Sequence, residues 1–137
     1  MNLRVFIAVI AAFVAIGGFA MQAEAQLGNL TGEWRGTYYG AGNAATDFEI
    51  DLSQSGRNLN GTIVERRVQP QNGYHWLIST LRGTTNATTV SFVKTYTDPA
   101  AGMTHTVNYR GTLSDGGRRI RGTWYLDGAQ GQFEMVR

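Results

Sequence analysis

One tripeptide recurs four times along this chain: Arg35-Gly36-Thr37, Arg82-Gly83-Thr84, Arg110-Gly111-Thr112 and Arg121-Gly122-Thr123, with Asn60-Gly61-Thr62 as a near-copy. Each copy lies within or at the end of a run that alternates apolar and polar residues. Threonine favours a pleated, half-buried surface. Glycine within a strand marks a bend or a close backbone approach, which a small closed barrel requires at its corners. The repeat therefore reads as one strand device used several times around a sheet that closes on itself.

Eight such runs are predicted as strands: Glu33–Tyr39, Asp47–Leu52, Leu59–Arg66, His75–Thr84, Thr89–Tyr96, His105–Leu113, Ile120–Asp127 and Gln132–Val136. Turn-forming clusters separate them, among them Ser55-Gly56-Arg57-Asn58, Asp98-Pro99, Asp115-Gly116-Gly117 and Asp127-Gly128. Beyond Ala25 no stretch keeps a helical period. Short strands with short connections predict an all-β fold, an eight-stranded antiparallel up-and-down β-barrel, which leaves no open edge. A two-sheet sandwich buries the same residues but calls for longer crossovers.

The segment before the first strand has another character. Arg4 gives a positive start, Val5 to Ala20 is apolar, and Ala23-Glu24-Ala25 has the small-x-small form of a cleavage site. Residues 1–25 are thus expected to be a signal peptide, and 26–137 the mature barrel, secreted or periplasmic. The apolar run is short against the roughly 20 residues of a membrane span, so no stable span is expected after processing. Without Arg4 and Glu24, the 12 basic and 10 acidic residues fall to 11 and 9. That balance argues against nucleic acid. The chain has no cysteine, so core and hydrogen bonds must hold it.

Alternation assigns the faces. The expected inward set includes Trp34, Gly36, Tyr38, Phe48, Ile50, Ile63, Glu65, Leu77, Ser79, Phe92, Lys94, Tyr96, His105, Tyr109, Trp124, Phe133 and Arg137. The tripeptide arginines point outward, where Glu33, Asp47, Glu49 and Asp51 are their expected cross-strand partners. With strands alternating in direction, the polar inward residues gather at one end, the mouth, and the other end is apolar. Such a pocket is the usual anatomy of a small-molecule site. An eight-stranded barrel is also narrow enough to be filled by its own side chains.

The first strand carries Gly32-Glu33-Trp34 and the last strand ends at Arg137. In this pairing the chain resembles the calycin group of barrels (lipocalins, fatty-acid-binding proteins and avidins). The resemblance implies that Trp34 and Arg137 close the bottom of the barrel. Ile120 to Leu126 is similar to the seventh avidin strand, which implies that Trp124 walls a pocket. Gly36, Ile63 and Glu65 stand where avidins have polar biotin contacts, and the last strand lacks an aspartate. Biotin is therefore not the expected ligand.

Two functions from different classes follow. The leading one is a secreted or periplasmic barrel binding a small, largely apolar molecule with an anionic head group in its mouth. Its expected ligand-binding residues are Tyr38, Leu77, Phe92, Lys94, Tyr96, Tyr109 and Trp124, with Lys94, the only lysine, as counter-charge. The second is an envelope or inhibitor-type protein-interaction barrel with a filled interior. It would bind through loops 67–76 and 97–104, with Tyr74, Trp76 and Met103 as anchors. An acid–base enzyme using Glu65 or His105 is a third reading. No nucleophile motif or phosphate loop is present, and His75, His105 and Glu65 have no metal-ligand spacing, so neither catalysis nor a metal or cofactor is expected.

Overall fold

The computed structural model describes residues 28–69, 73–100 and 102–137. The expected signal peptide lies outside the described residues. Eight strands follow in order: β1 (Gly32–Tyr39), β2 (Ala45–Ser55), β3 (Asn58–Gln69), β4 (Gly73–Thr85), β5 (Thr89–Tyr96), β6 (Thr106–Ser114), β7 (Arg119–Leu126) and β8 (Ala129–Val136). Each pairs antiparallel with the next, and β8 returns to β1, closing an up-and-down barrel. The only helical pieces among the described residues are single 3-10 turns at Ala41–Asn43 and Asp115–Gly117. Among the described residues no helix is long and apolar enough to cross a membrane.

The register explains the tripeptide. Gly36 sits opposite Phe48 on β2 and Met135 on β8. A Cβ added there would collide with the Phe48 ring and come 2.6 Å from the Glu134 carbonyl oxygen. At Gly122 an added Cβ would collide with the Arg110 carbonyl oxygen. The neighbouring strand passes where a side chain would stand, so the wall bends tightly and the rings opposite gain room. The last hairpin turns on Asp127 (φ 45°) and Gly128 (φ 81°). Two consecutive positive φ values match the twist that a two-residue hairpin requires.

The seam between β1 and β8 is short. Four residues pair, Arg35–Tyr38 against Phe133–Val136. Above it the Trp124 indole bridges the gap, its Nε1 donating to the Tyr39 carbonyl at 3.0 Å.

The core fills the cylinder. Trp34, Ile50, Leu52, Leu59, Ile63, Leu77, Leu81, Val90, Phe92, Ile120, Phe133 and Met135 are buried, and every one of them was expected inward. Leu30, just before β1, joins them as a plug, and its carbonyl accepts from Trp34 Nε1 at 2.9 Å. In mid-barrel Phe92 and Tyr109 stack with centroids 4.7 Å apart, and the Phe133 ring meets both edge-on. Edge and offset contacts of this kind add about 0.5–1.5 kcal/mol each beyond burial.

Two facings fail at strand ends: Arg137, just past β8, is exposed and lies over the Trp34 ring from outside, and His105 also faces out. His105 lies before β6 and is exposed, its ring tilted against Tyr96 at 4.7 Å. Alternation holds only within a paired strand, and pairing starts one residue later.

Candidate functional site

The mouth end gathers four polar side chains from three strands. Tyr38 comes from the end of β1, Glu65 from β3, and Lys94 and Tyr96 from β5. Glu65 and Lys94 stand on either side of β4, opposite Leu77 and Leu81, and the inward residue between those two is the small Ser79. A serine there leaves space for the long lysine chain to cross. Lys94 Nζ donates to Glu65 Oε2 at 3.2 Å and to the Tyr96 hydroxyl oxygen at 2.9 Å. The Tyr38 hydroxyl donates to the same Glu65 oxygen at 2.8 Å. The ammonium also stands 5.0 Å from the Tyr38 ring centre and 4.4 Å from that of Tyr96.

The charges are deep. The side chains of Lys94 and Glu65 are 1% and 0% exposed. At that depth neither ion survives alone, because stripping water from one charge costs several kcal/mol. Burial also pushes the Tyr38, Tyr96 and Tyr109 hydroxyls above the usual phenol range. The Glu65 carboxylate adds to that rise in all three, with a Tyr38 contribution at Tyr96 and Tyr109. These tyrosines are hydrogen-bonding groups, not proton carriers, at neutral pH. Ser79 Oγ is buried and has no hydrogen-bond partner among the described residues.

The expected ligand-binding residues thus occupy three settings. Tyr38, Lys94 and Tyr96 form the polar cluster. Leu77 is 1% exposed, and Phe92 and Tyr109 are spent on each other. Trp124 is half-buried at the rim, with Tyr38, Met103 and Leu126 also packed on the top of the core. The expected closure pair is in place: the Arg137 guanidinium stands 5.0 Å from the Trp34 ring centre. His75, Glu65 and His105 do not form one cluster. His75 Nε2 meets Asp98 Oδ2 at 2.8 Å, Glu65 meets Lys94, and His105 meets Tyr96. No group of three metal-ligating side chains gathers among the described residues.

The outer face corrects the expected arginine pairing. Of the four tripeptide arginines, Arg35 alone takes one of the expected acids, Glu49 at 4.0 Å. Arg121 instead meets Glu134 at 2.7 Å, a carboxylate it shares with Arg119. The reason is topological. Glu33, Asp47, Glu49 and Asp51 all lie on β1 and β2, whereas Arg82 and Arg110 lie on β4 and β6.

A broad concavity also lies outside the barrel. A groove of about 1140 Å³ runs over β8, β1, β2, β3 and β4, lined by Tyr39, Val64, Arg66, Trp76, Glu134 and Val136 among others. Trp76 is 60% exposed and Tyr39 40%. Trp76 was an expected anchor. The side chain of Tyr74 lies outside the described residues, and Tyr39 was missed because a strand-end tyrosine facing out has no mark in the sequence.

No family model matches this chain, and no curated protein is similar to it in sequence. Among solved structures it is similar to a redesigned β-barrel, with a TM-score of 0.63, 15% identity, and coverage of 84% of this chain and 94% of that one. It is also similar to a de novo designed fluorescence-activating β-barrel, with a TM-score of 0.56, 11% identity, and coverage of 80% and 94%. At such identities the likeness shows the fold.

Proposed function

We propose that this chain is a binding barrel with a filled interior that recognises a protein partner through its mouth end and the adjoining outer groove. One observation carries the reading: the interior side chains are buried to within a few per cent, while Trp76 and Tyr39 stand exposed in a broad groove on the outer wall. Rings buried at protein interfaces are the usual energetic anchors, and the lining of this groove also includes Val64 and Val136. Secretion or periplasmic delivery belongs to the proposal through residues 1–25, and the Trp34–Arg137 stack supports a calycin-like ancestry. An acid–base role is not part of it, since Glu65 is tied to Lys94 and Tyr38.

The test is co-purification from the native host followed by native mass spectrometry. A bound protein that is lost from a Tyr39→Ala/Trp76→Ala variant of unchanged melting behaviour supports the proposal. Protein that emerges free, or whose partner survives the double variant, overturns it.

A second reading has its own support. Met103, Leu126 and Trp124 are partly buried against the core beside the polar cluster's own Tyr38. A small, largely apolar molecule with an anionic head group would sit on that rim, and a barrel of the same architecture is a fluorescence-activating design. A co-purifying small molecule whose affinity falls in Lys94→Met favours this reading.

A further inference from the structure

The charge on the outer wall is unevenly divided. Strands β1 and β2 carry Glu33, Asp47, Glu49 and Asp51, whereas β4, β5, β6 and β7 contain no acidic residue at all. On that second wall the pairing register sets residues in rows. Arg82, Val93, Asn108 and Tyr125 share one level across the four strands, and Thr84, Ser91, Arg110 and Thr123 share the next. Arg82 and Arg110 therefore flank β5 diagonally. Their Cα atoms are about 10–12 Å apart by strand spacing and rise. Neither makes an ion pair with any described residue, whereas Arg35, Arg119 and Arg121 all do.

Between the two arginines the wall dips. A concavity of about 600 Å³ opens there, lined by Arg82, Ser91, Val93, Asn108, Arg110 and Tyr125. It thus holds two guanidiniums without counter-ions, a hydroxyl, an amide and a ring that is 41% exposed.

We propose that this dip binds an anionic saccharide, with Arg82 and Arg110 each taking a carboxylate or sulfate group, Asn108 and Ser91 taking hydroxyls, and Tyr125 packing against a sugar face. The chemistry selects this class. Guanidinium forks match oxyanions in two-point contacts. Their separation suits two charges joined by a sugar-sized spacer better than one small anion held by both. Neutral donors and acceptors between them suit a hydroxylated ligand. A lipid surface would ask for protruding apolar residues, and here Val93 and Tyr125 are less than half exposed. A second copy docking its β1–β2 acids on this wall would make a head-to-tail contact, which the experiment below tells apart.

The experiment is affinity electrophoresis of the whole chain through gels holding polygalacturonate, dextran sulfate or uncharged dextran, at low and moderate salt. Retardation by an anionic polymer and not by dextran is expected, weakening as salt rises. The polymer that retards tells carboxylate from sulfate. Arg82→Gln and Arg110→Gln should each weaken binding about tenfold. Tyr125→Ala should weaken it severalfold, and Arg35→Gln on the opposite wall should leave it unchanged. All four side chains are on the surface, so unchanged thermal melting confirms that the variants fold. Absence of retardation, or binding that persists in Arg82→Gln/Arg110→Gln, overturns the proposal. So does a concentration-dependent self-association that the double variant abolishes, which would give this wall to a second copy.

Discussion

The two ends of the barrel interior obey the same alternation and hold opposite chemistry. At the closed end Trp34, Leu30, Leu52, Leu59, Ile120 and Met135 meet as hydrocarbon, with Arg137 laid outside over the indole. At the mouth the same inward positions hold Glu65, Lys94, Tyr38 and Tyr96. The closed end gains stability from area and fit. The mouth gains little from its ion pair, because the Coulombic attraction is spent on desolvation. What the pair supplies is a matching demand: in this register β1, β3 and β5 satisfy both charges and both hydroxyls together. The closed end thus sets how stable the barrel is, and the mouth sets which register it adopts.

The comparison is broken most forcefully from below. Trp34→Ala empties a fully buried site and should cost about 3–5 kcal/mol in urea unfolding. A cost under about 1 kcal/mol would mean that the plug is ornamental. Next, Lys94→Met should cost about 3 kcal/mol, although methionine is the more apolar residue, because it strands the Glu65 carboxylate in the interior. A methionine that stabilises the chain would show that Glu65 was never bound to its charge.

Alkali sharpens the difference further. Tyr38, Tyr96 and Tyr109 titrate above the usual phenol value when folded. The unfolded phenols ionise first, near pH 10. Stability is therefore complete below about pH 10 and falls as pH rises toward the folded values, by at most about 1.4 kcal/mol per pH unit for each tyrosine. Urea unfolding at pH 9, 10 and 11 reads it directly, and a flat profile would contradict the burial of these hydroxyls. The smallest effect is expected at Arg137→Ala, about 0.5–1 kcal/mol from the lost guanidinium–indole contact at the surface. A loss as large as that of Trp34→Ala would move the arginine from lid to keystone.

Much of this was legible from residue order. Period-two alternation placed Trp34, Glu65, Lys94 and Phe133 inside, since a one-residue slip would have turned them all outward. The up-and-down order put Glu65 and Lys94 at the same end, although Lys94 was expected to meet a ligand's head group and instead meets Glu65. Three things were not legible. Leu30 plugs the closed end from outside any strand, where no period applies. His105 precedes the first paired residue of β6, so alternation does not reach it. The outer arginines were matched to acids by charge alone, and β4 and β6 are too far around the cylinder from β1 and β2 for Arg82 and Arg110 to reach them. The exposed groove over Tyr39 and Trp76 belongs to the same class, because a concavity arises from how several strands curve together.

The contrast between the ends rests on the coupling of Lys94 with Glu65, and a double-mutant cycle measures it directly. Lys94→Met and Glu65→Leu are expected to cost about 3 kcal/mol each, and the double variant to lie within about 1 kcal/mol of the parent, because it removes both charges and strands neither. A double variant that loses the sum of the two would mean that the side chains act independently, and the polar mouth described above would not exist.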